Sequence, residues 1–457
     1  MPTLAYPKFL TFLTMNPIKH FFWFFILLLT GVWWMTDPAW VFMSNFLGWR
    51  YILMQYTGVL AMGVMSAAML LAVRPVVFEP YAGGLDKMYR LHKWLGISGL
   101  VMSLCHWLLS ESPKWLVGLG WMARHAHGAR HAVLDGTIQQ FFQNQRGLAK
   151  DLGEWAFYAA VLLLVLALMR RFPYKHFIKI HHLLAVTYLA LVLHSVVLLK
   201  FDYWSGLLGP VMTVLMTAGS IAALMVLLGQ VAKNRQAIGE VVGIRHHASL
   251  GVIEVDIQVK SRWLGHQSGQ FVFVTFHEDE GAHPYTIASP VALDGCLTFI
   301  IKALGDYTST LAHRIKIKDE VKIEGPYGCF NFQGQHNRQI WVGAGIGITP
   351  FISRMKTLAH AHENKTIDLF HTTERHDQHA MELLAHDAKA AHVRLHVLWD
   401  EKDGLLDAAR IAKEVPEWQD ADIWFCGPVK FGQALKNSFV VMGLDEACFH
   451  QELFEMR

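Results

Sequence analysis

Four histidines lie within or next to apolar stretches of the first half of the chain, where ionisable side chains are costly and usually functional. His92 and His106 are 14 residues apart on one stretch, and His181 and His194 are 13 apart on another. At about 1.5 Å per residue, both spacings correspond to roughly 20 Å along a helix. Each stretch therefore presents imidazoles at two matching depths.

Paired imidazoles at two depths are what two haems stacked across a bilayer require, with one axial ligand for each haem from each helix. We therefore predict His92, His106, His181 and His194 as iron ligands. On an ideal helix, 13 residues leave His181 and His194 on different faces, so the pairing calls for a bend or an irregular first turn. We expect His182 to be a packing or interfacial residue. The loop histidines His125, His127 and His131 are expected to be solvated, with an outer metal site as the alternative.

The chain that carries these histidines has the composition of a partly membrane-embedded protein. Apolar residues make up 53% of its 457 residues and charged residues 17%, and 26 residues are histidine. The net charge of +3 and the lack of basic runs argue against nucleic acid binding. The five cysteines form no C-x-x-C pair, which argues against a structural zinc site or a cysteine-ligated iron–sulfur cluster.

Six apolar stretches come close to the ~20 residues that a membrane-spanning helix needs. They are residues 21–35, 52–73, 91–110, 155–169, 183–199 and 207–231. The first is short, but no small-residue cleavage site follows it, so an uncleaved span is favoured over a signal peptide. With six spans, the basic residues fall on one side of the membrane, which should be cytoplasmic. They lie before the first span, between the second and third, between the fourth and fifth, and after the sixth. The long basic loop 111–151 on the other side is the exception.

The second half changes to patterns typical of soluble domains. Residues 251–260 and 270–276 alternate as half-buried strands do. After Gln339 the order is strand, glycine-rich turn, helix and strand, at 340–342, 343–347, 350–360 and 366–371. This is the βαβ pattern of a nucleotide-binding α/β layer.

A short segment in this half gives the chain a specific resemblance. It reads His283-Pro284-Tyr285-Thr286-Ile287-Ala288-Ser289 and resembles the flavin motif of the ferredoxin–NADP reductase superfamily. The His-Pro pair makes it most similar to the NADPH oxidase and ferric reductase family. The resemblance implies that Tyr285 lies against the isoalloxazine, Thr286 binds near the flavin N5, and Ser289 helps to hold the pyrophosphate.

Further segments resemble the same family, in the same order along the chain. Lys302, Gly305 and Thr308 belong to a second flavin element, in which Thr308 opens a helix whose amides can face phosphate. A turn at Glu324-Gly325-Pro326-Tyr327-Gly328 matches the end of the family's flavin barrel. The glycine-rich segment after residues 340–342 resembles the family's dinucleotide loop, with Gly343, Gly345, Gly347, Thr349 and Pro350 as its binding residues.

The last elements concern the nicotinamide. Cys426-Gly427-Pro428 follows a predicted strand at 422–425 and matches the family's site beside the nicotinamide. Arg375 stands where the family often places a basic residue for the 2′-phosphate, which favours NADPH over NADH. Phe454 is the candidate for the aromatic residue that stacks on the flavin, although this chain continues beyond it and the oxidases end on that residue. Tyr285, Thr286, Cys426 and Phe454 are therefore the predicted catalytic residues.

The resemblance implies a bundle of six membrane helices that binds haem, followed by a ferredoxin reductase-like module with an FAD-binding β-barrel and an α/β nucleotide-binding domain. We predict the boundaries 1–233, 234–335 and 336–457. The implied activity is electron transfer from cytoplasmic NAD(P)H through FAD and two b-type haems to a small-molecule acceptor across the bilayer.

The identity of the acceptor stays open at the level of sequence. Oxygen, giving superoxide, is favoured, and Fe(III) chelates or a quinone or protein partner are the alternatives. Ser110 stands where the oxidases commonly carry a further histidine one turn beyond the outer ligand. The predicted outer loops lack a glycosylation sequon, which fits an integral protein of a bacterial inner membrane.

Overall fold

The computed structural model describes residues 17–38, 45–123, 137–169, 174–291, 294–361, 363–375 and 377–452. The chain divides into two compact units. Among the described residues, one comprises Ile18–Pro75 and Met88–Val231, and the other comprises Val76–Lys87 and residues 232–452.

The first unit is built from six long helices, and each predicted span falls on one of them. They are α1 (Pro17–Thr36), α2 (Phe46–Ala72), α4 (Leu85–Gly118), α5 (Thr137–Leu168), α6 (Tyr174–Leu198) and α8 (Leu208–Leu227). The helical turn α7 (Asp202–Ser205) precedes α8, and another turn, α3 (Glu79–Ala82), precedes α4 in the chain but belongs to the second unit. All but α4 are long and apolar enough to cross a membrane. Helix α4 carries charges in its first turns and near its end, but residues 94–110 between them contain no Asp, Glu, Lys or Arg.

Apolar side chains cover the outside of this helical unit, as contact with lipid tails requires. Phe24, Leu162 and Val214 are each at least 60% exposed. Inside, α2, α6 and α8 pack closely, and the polar groups between them are paired: the Ser66 hydroxyl lies 2.8 Å from the Tyr188 hydroxyl.

A six-stranded antiparallel barrel begins the second unit. Its strands are β1 (Gln236–His247), β2 (Val252–Val259), β3 (Phe271–Thr275), β4 (His283–Thr286), β5 (Cys296–Lys302) and β6 (Glu320–Tyr327), in the order β4-β3-β6-β1-β2-β5. A bridge between Ile287 and Phe299 brings the two edges together. The predicted alternation is confirmed in β2, where Ile253, Val255 and Ile257 point into the core. Helix α9 (Asp306–Arg314) lies between β5 and β6 in the chain.

Five parallel strands form the sheet of the α/β domain, in the order β11-β10-β7-β8-β9. They are β7 (Arg338–Ala344), β8 (Thr366–Thr373), β9 (Arg394–Trp399), β10 (Ala421–Cys426) and β11 (Phe449–Gln451). The helices of this domain are α10 (Thr349–Leu358), α11 (Gln378–Ala390), α12 (Asp400–Asp403), α13 (Ala408–Glu414) and α14 (Val429–Val441). β7 and β10 are buried almost throughout, as the central strands of a parallel sheet must be.

The segment Val76–Lys87 joins two membrane helices in sequence, yet it packs within the second unit. Its residue Glu79 accepts hydrogen bonds from the backbone N–H of Gly328, at 2.6 Å, and of Leu85, at 3.2 Å. Burial raises the pKa of this carboxyl above its usual value, although both amide donors oppose the shift. The barrel thus binds part of a loop that local sequence patterns assign to the membrane domain.

Candidate functional site

The four predicted iron ligands meet in two pairs inside the helical unit. The ring centroids of His92 and His181 are 5.9 Å apart, and those of His106 and His194 are 6.3 Å apart. Two imidazoles that share one metal ion should have centroids roughly 6 Å apart, from metal–nitrogen bonds of ~2 Å and ring radii of ~1.2 Å. Each pair therefore leaves room for one iron between its rings.

Ideal helix geometry predicts a bend or an irregular first turn. The irregular first turn is not seen, because Tyr174–Leu198 forms one α-helix. His181 and His194 nevertheless each lie beside their counterpart on α4. An imidazole stands several ångströms from the helix axis and rotates about χ1. The directions of Cα atoms on an ideal helix therefore do not decide where the two rings lie.

Backbone carbonyls fix the orientation of three of the four rings. The Nδ1 atoms lie 2.9 Å from the Ala68 oxygen for His92, 2.9 Å from the Met54 oxygen for His106, and 2.8 Å from the Ala149 oxygen for His194. A carbonyl only accepts, so Nδ1 carries the proton in each ring and Nε2 keeps a free lone pair. Histidines that bind metals typically have this tautomer and donate the remaining ring N–H to a carbonyl in this way. His181 differs, since its buried Nδ1 has no partner among the described residues and its ring stacks on Phe177.

Glycines make room for the outer pair of rings. A Cβ atom on Gly153 would lie 1.9 Å from Nδ1 of His194, and one on Gly58 would lie 3.3 Å from the His106 ring. The residues of this unit thus fit two bis-imidazole haems. His182 is exposed, and the loop histidines His125, His127 and His131 lie outside the described residues.

In the second unit, β4 and the residues after it carry the predicted flavin motif. Tyr285 pairs with Val272 of β3, and its ring packs into the barrel core near Phe276. Thr286 pairs with Phe271 at the end of the strand. His283, beside Pro284, stacks on Tyr307 with ring centroids 4.7 Å apart. The motif thus lies at one edge of the barrel.

The second flavin element follows β5. Gly305 caps α9, and Thr308 is the third residue of the helix, not its first. The Thr308 hydroxyl accepts from the backbone N–H groups of Leu304 and Gly305, each at 3.0 Å. Lys302, which ends β5, approaches the dinucleotide loop, since its Nζ lies 3.9 Å from the position of a Cβ on Gly345.

The dinucleotide loop turns tightly from β7 into α10, with Thr349 and Pro350 in the first turn of the helix. Gly345 has φ +56°, a left-handed conformation that favours glycine. A Cβ on Gly347 would lie 2.1 Å from the Cys426 oxygen, and one on Gly343 would lie 3.0 Å from the Cα of Ile348. The loop therefore rests directly on the segment predicted to lie beside the nicotinamide.

Helix α10 also joins the nucleotide domain to the flavin barrel. The Ser353 hydroxyl donates to the Ser289 backbone oxygen at 2.8 Å, and the Thr357 hydroxyl lies 2.9 Å from that of Ser268. The Ser289 hydroxyl is buried without a partner among the described residues. An unpaired buried hydroxyl is costly, and the predicted flavin pyrophosphate would satisfy it.

Cys426, Gly427 and Pro428 connect β10 to α14 at the carboxyl end of the sheet. Cys426 is opposite Gly343 of β7, and Gly427 packs against Ala344. Burial raises the pKa of the Cys426 thiol well above its usual value, and the neighbouring Glu452 carboxyl adds to the shift. The thiol is therefore neutral, and a nucleophilic thiolate is not expected here.

Arg375 lies in the turn after β8, on the same carboxyl side of the sheet. The turn is held by Thr373, whose hydroxyl donates to the Arg375 oxygen at 2.7 Å. The Arg375 side chain is exposed, so it is open to an approaching phosphate. Phe454 lies outside the described residues.

Glu452 is a site residue that the sequence reasoning missed. It is 3% exposed, and neither carboxyl oxygen has a partner among the described residues. Its Oε1 lies 3.4 Å from the position of a Cβ on Gly328. Burial raises the pKa of this carboxyl well above its usual value, and the nearby Asp86 carboxylate adds a smaller increase. The sequence feature that could have identified Glu452 is its position two residues before Phe454, the predicted flavin-stacking residue.

Comparison with known proteins accounts for these two units. Residues 57–192, which include His92, His106 and His181 and end two residues before His194, match the family described as the ferric reductase like transmembrane component. Residues 246–331 match a family of FAD-binding domains, and residues 341–437 match the oxidoreductase NAD-binding domain family.

Individual relatives align with the reductase half. The reductase subunit of glycine betaine monooxygenase from Chromohalobacter salexigens is 25% identical over 203 residues, covering 41% of this chain and 55% of that protein. Flavohemoprotein from Bordetella pertussis is 26% identical over 210 residues, covering 41% and 52%. The chain thus spans about half the length of these relatives.

Among solved structures, the flavohem-like FAD/NAD binding domain of nitric oxide dioxygenase from Vibrio cholerae matches 47% of this chain and 97% of that domain. The TM-score is 0.41 and the identity 20%. The three family matches together show a ferric reductase-like transmembrane domain fused to FAD- and NAD-binding domains. The predicted family resemblance and fold class are confirmed.

Proposed function

We propose that this chain, with its ferric reductase-like and NADPH oxidase-type architecture, passes electrons from NAD(P)H through FAD and two b-type haems to an acceptor across the membrane. FAD supplies the exchange of a two-electron hydride for single electrons, and the haem irons supply one-electron transfer. The protein positions these groups and ligates the irons.

The observation that carries the proposal is the arrangement of the two histidine pairs. Three of the four rings donate Nδ1–H to backbone carbonyls and thereby leave Nε2 for iron. Ligation of both axial positions by imidazole favours electron transfer over binding of a ligand at the iron. His92 and His181 would hold the inner haem, and His106 and His194 the outer one.

The reductase residues have distinct tasks in this proposal. Gly343, Gly345 and Gly347 let the backbone approach the dinucleotide, and Thr349 and Pro350 begin the helix whose N-terminus faces its phosphates. Lys302, Gly305 and Thr308 would hold the flavin with the segment from His283 to Ser289. Cys426 with Gly427 and Pro428 would border the nicotinamide, while Tyr285 and Phe454 would contact the flavin ring.

We propose that the reductase domain faces the cytoplasm of a bacterial cell. Lys19, Lys87, Arg90, Lys93 and Lys179 flank the helices on one predicted side of the membrane. A concentration of Lys and Arg is typical of the cytoplasmic side.

Oxygen, reduced to superoxide, is the proposed acceptor, and an Fe(III) chelate is the second candidate. The second is favoured by Ser110, which replaces the further histidine that oxidases commonly carry. The backbone oxygens of Leu109 and Ser110 accept hydrogen bonds from Arg50, at 2.6 and 2.9 Å. This region therefore carries a fixed cation near the outer pair, which suits an anionic iron chelate.

The test uses the full chain in lipid nanodiscs, loaded with FAD and haem and supplied with NADPH. Superoxide is measured as the cytochrome c reduction that superoxide dismutase abolishes, and Fe(II) is captured from Fe(III) citrate under anaerobic conditions. Superoxide formed at about two molecules for each NADPH oxidised supports the oxidase proposal, because a hydride carries two electrons and superoxide takes one. Fe(II) formation without superoxide supports the ferric reductase alternative. A haem spectrum that NADPH does not reduce would reject electron transfer through the membrane domain.

A further inference from the structure

Three side chains that suit a metal ion converge at the amino end of the parallel sheet. His336 precedes β7 by two residues, Asp422 is the second residue of β10, and Cys448 immediately precedes β11. These strands are neighbours in the sheet. Asp422 lies four residues before Cys426, or about 13 Å along the strand. The cluster therefore lies at the amino ends of these strands, opposite the carboxyl ends that carry the dinucleotide loop.

Two of the three spacings between the ligand atoms are close to those of a tetrahedral site. His336 Nδ1 lies 3.8 Å from Cys448 Sγ and 3.6 Å from Asp422 Oδ2, and all three atoms lie within 4.8 Å of one another. A tetrahedral zinc ion holds thiolate and imidazole ligand atoms roughly 3.5 Å apart and carboxylate and imidazole atoms roughly 3.3 Å apart. The two spacings from His336 exceed these values by only about 0.3 Å.

The surroundings of Asp422 orient its carboxylate toward this point. The carboxylate is fully buried. The ring of His450 lies with Nε2 3.1 Å from Oδ1, and it stacks on Trp424. The His336 backbone N–H donates to Oδ2 at 2.7 Å, which leaves one lone pair on that oxygen. Hydrogen bonds to the outer side of a ligating carboxylate are typical of metal sites.

A glycine keeps the chain close to this carboxylate. A Cβ on Gly334 would lie 2.1 Å from Asp422 Oδ2, so a larger residue would displace the segment that brings His336 into place.

The chemistry of the three ligand atoms indicates which metal ion would bind. Thiolate excludes magnesium and calcium, and one sulfur, one nitrogen and one carboxylate oxygen in a tetrahedron suit zinc. A thiolate and a carboxylate also balance the charge of a divalent cation inside the protein.

We propose that His336, Asp422 and Cys448 form a zinc site, with water as the fourth ligand. The ion links three separate segments of the nucleotide-binding domain and fixes the start of β11. That strand leads into Glu452, so the zinc site anchors the chain just before the buried carboxylate beside Cys426. The site does not depend on the proposed electron acceptor.

The experiment measures zinc in the full chain, purified with a histidine-free tag in nanodiscs with FAD and haem bound. The protein is treated with chelator, equilibrated with zinc chloride and desalted, and its metal content is determined by mass spectrometry. X-ray absorption at the zinc edge then identifies the ligand atoms without interference from haem. We expect one zinc per chain, with one sulfur neighbour at ~2.3 Å and nitrogen or oxygen neighbours at ~2.0 Å.

Matched variants assign the site. Cys448→Ser should remove the sulfur neighbour, whereas Cys296→Ser, a half-buried cysteine of the barrel, should keep it. His336→Gln should weaken zinc binding at least about tenfold, whereas the exposed His386→Gln should not. His336 is partly exposed, so its variant decides the matter if Cys448→Ser fails to fold.

Three outcomes would overturn the proposal. They are the absence of stoichiometric zinc, a zinc environment without sulfur in the parent protein, and equal effects in each variant and its control.

Discussion

Replacing Gly153 by alanine should remove the outer haem and leave the inner one in place. The added Cβ would lie 1.9 Å from Nδ1 and 2.4 Å from Cε1 of His194. Ordinary contact begins near 3.4 Å, so the ring must recede by about 1.5 Å. Metal–ligand distances tolerate only about 0.2 Å, so a displacement of this size breaks the bond between His194 and iron.

The displacement also stretches the bond that orients His194. Its Nδ1 lies 2.8 Å from the Ala149 oxygen on the same helix that carries Gly153. Retreat of the ring from α5 would take this contact beyond hydrogen-bonding distance. The ring would then lose both the position and the tautomer that iron ligation needs. The inner pair lies about 20 Å away along α4 and should be unaffected.

The assay is the haem content per FAD, measured by the pyridine haemochrome method, together with the electron paramagnetic resonance signals of the low-spin haems. We expect two haems per chain in the parent and one in Gly153→Ala, with reduction of FAD by NADPH unchanged. Gly147→Ala is the matched control on α5, since nothing lies within 4 Å of its Cβ position. Gly58→Ala, with the His106 ring at 3.3 Å, should only shift the signal of the outer haem.

Two results would refute this reasoning. The first is a Gly153→Ala protein that keeps two haems with unaltered resonance signals. In that case His194 is not confined as the structure places it. The second is equal haem loss in Gly147→Ala. Such a loss would mean that α5 is sensitive to any substitution, and not that Gly153 makes room for the ligand.

Three further predictions concern the reductase domain. If Arg375 contacts the 2′-phosphate, Arg375→Ala loses a charged hydrogen bond worth roughly 1.5–3 kcal/mol. The KM for NADPH should then rise about tenfold, and the KM for NADH should not change. Equal increases in both KM values would contradict this role. If Phe454 covers the flavin face, Phe454→Ala should bind NADP⁺ more tightly, as measured by equilibrium titration, and should have a lower kcat. Unchanged NADP⁺ binding together with loss of FAD would instead indicate a packing role. Because the folded pKa of Glu452 is raised, its contribution to stability is fully present below the unfolded pKa and is lost as pH rises through the folded value. Glu452→Gln should therefore match the parent in thermal unfolding near ~pH 4 and exceed it increasingly at higher pH, and a constant difference across pH would contradict the raised pKa.

The histidine pairs and the nucleotide loop could be predicted because their signals are local. Spacing along a single helix fixes the depth of a residue, so the positions of His92 and His106 in sequence determine their separation in the membrane. The glycine loop likewise lies between a strand and a helix that adjoin it in sequence. What spacing does not supply is the direction of a side chain, so it could not show how both His181 and His194 come to lie beside their counterparts on α4.

Contacts between distant segments were missed for a different reason. Glu79 binds the backbone of Gly328, 249 residues later, through a loop whose sequence gives no sign of a partner. His336 and Cys448 are 112 residues apart and become neighbours only when β7 and β11 take their places beside β10. No periodicity or motif length connects such residues, because the order of strands in the sheet brings them together.

The glycines of the dinucleotide loop show how one sequence pattern can serve separate physical needs. Gly345 is required by its backbone, since a side chain at φ +56° is strained whatever the space around it. Gly347 is required by packing, because a Cβ there would collide with the Cys426 carbonyl at 2.1 Å. That collision involves backbone on both sides, so no rotamer change relieves it. Gly347 therefore sets the distance between the dinucleotide loop and the nicotinamide segment. The glycines of this loop thus allow close contact between the ends of β7 and β10, and they also let the phosphates approach the backbone.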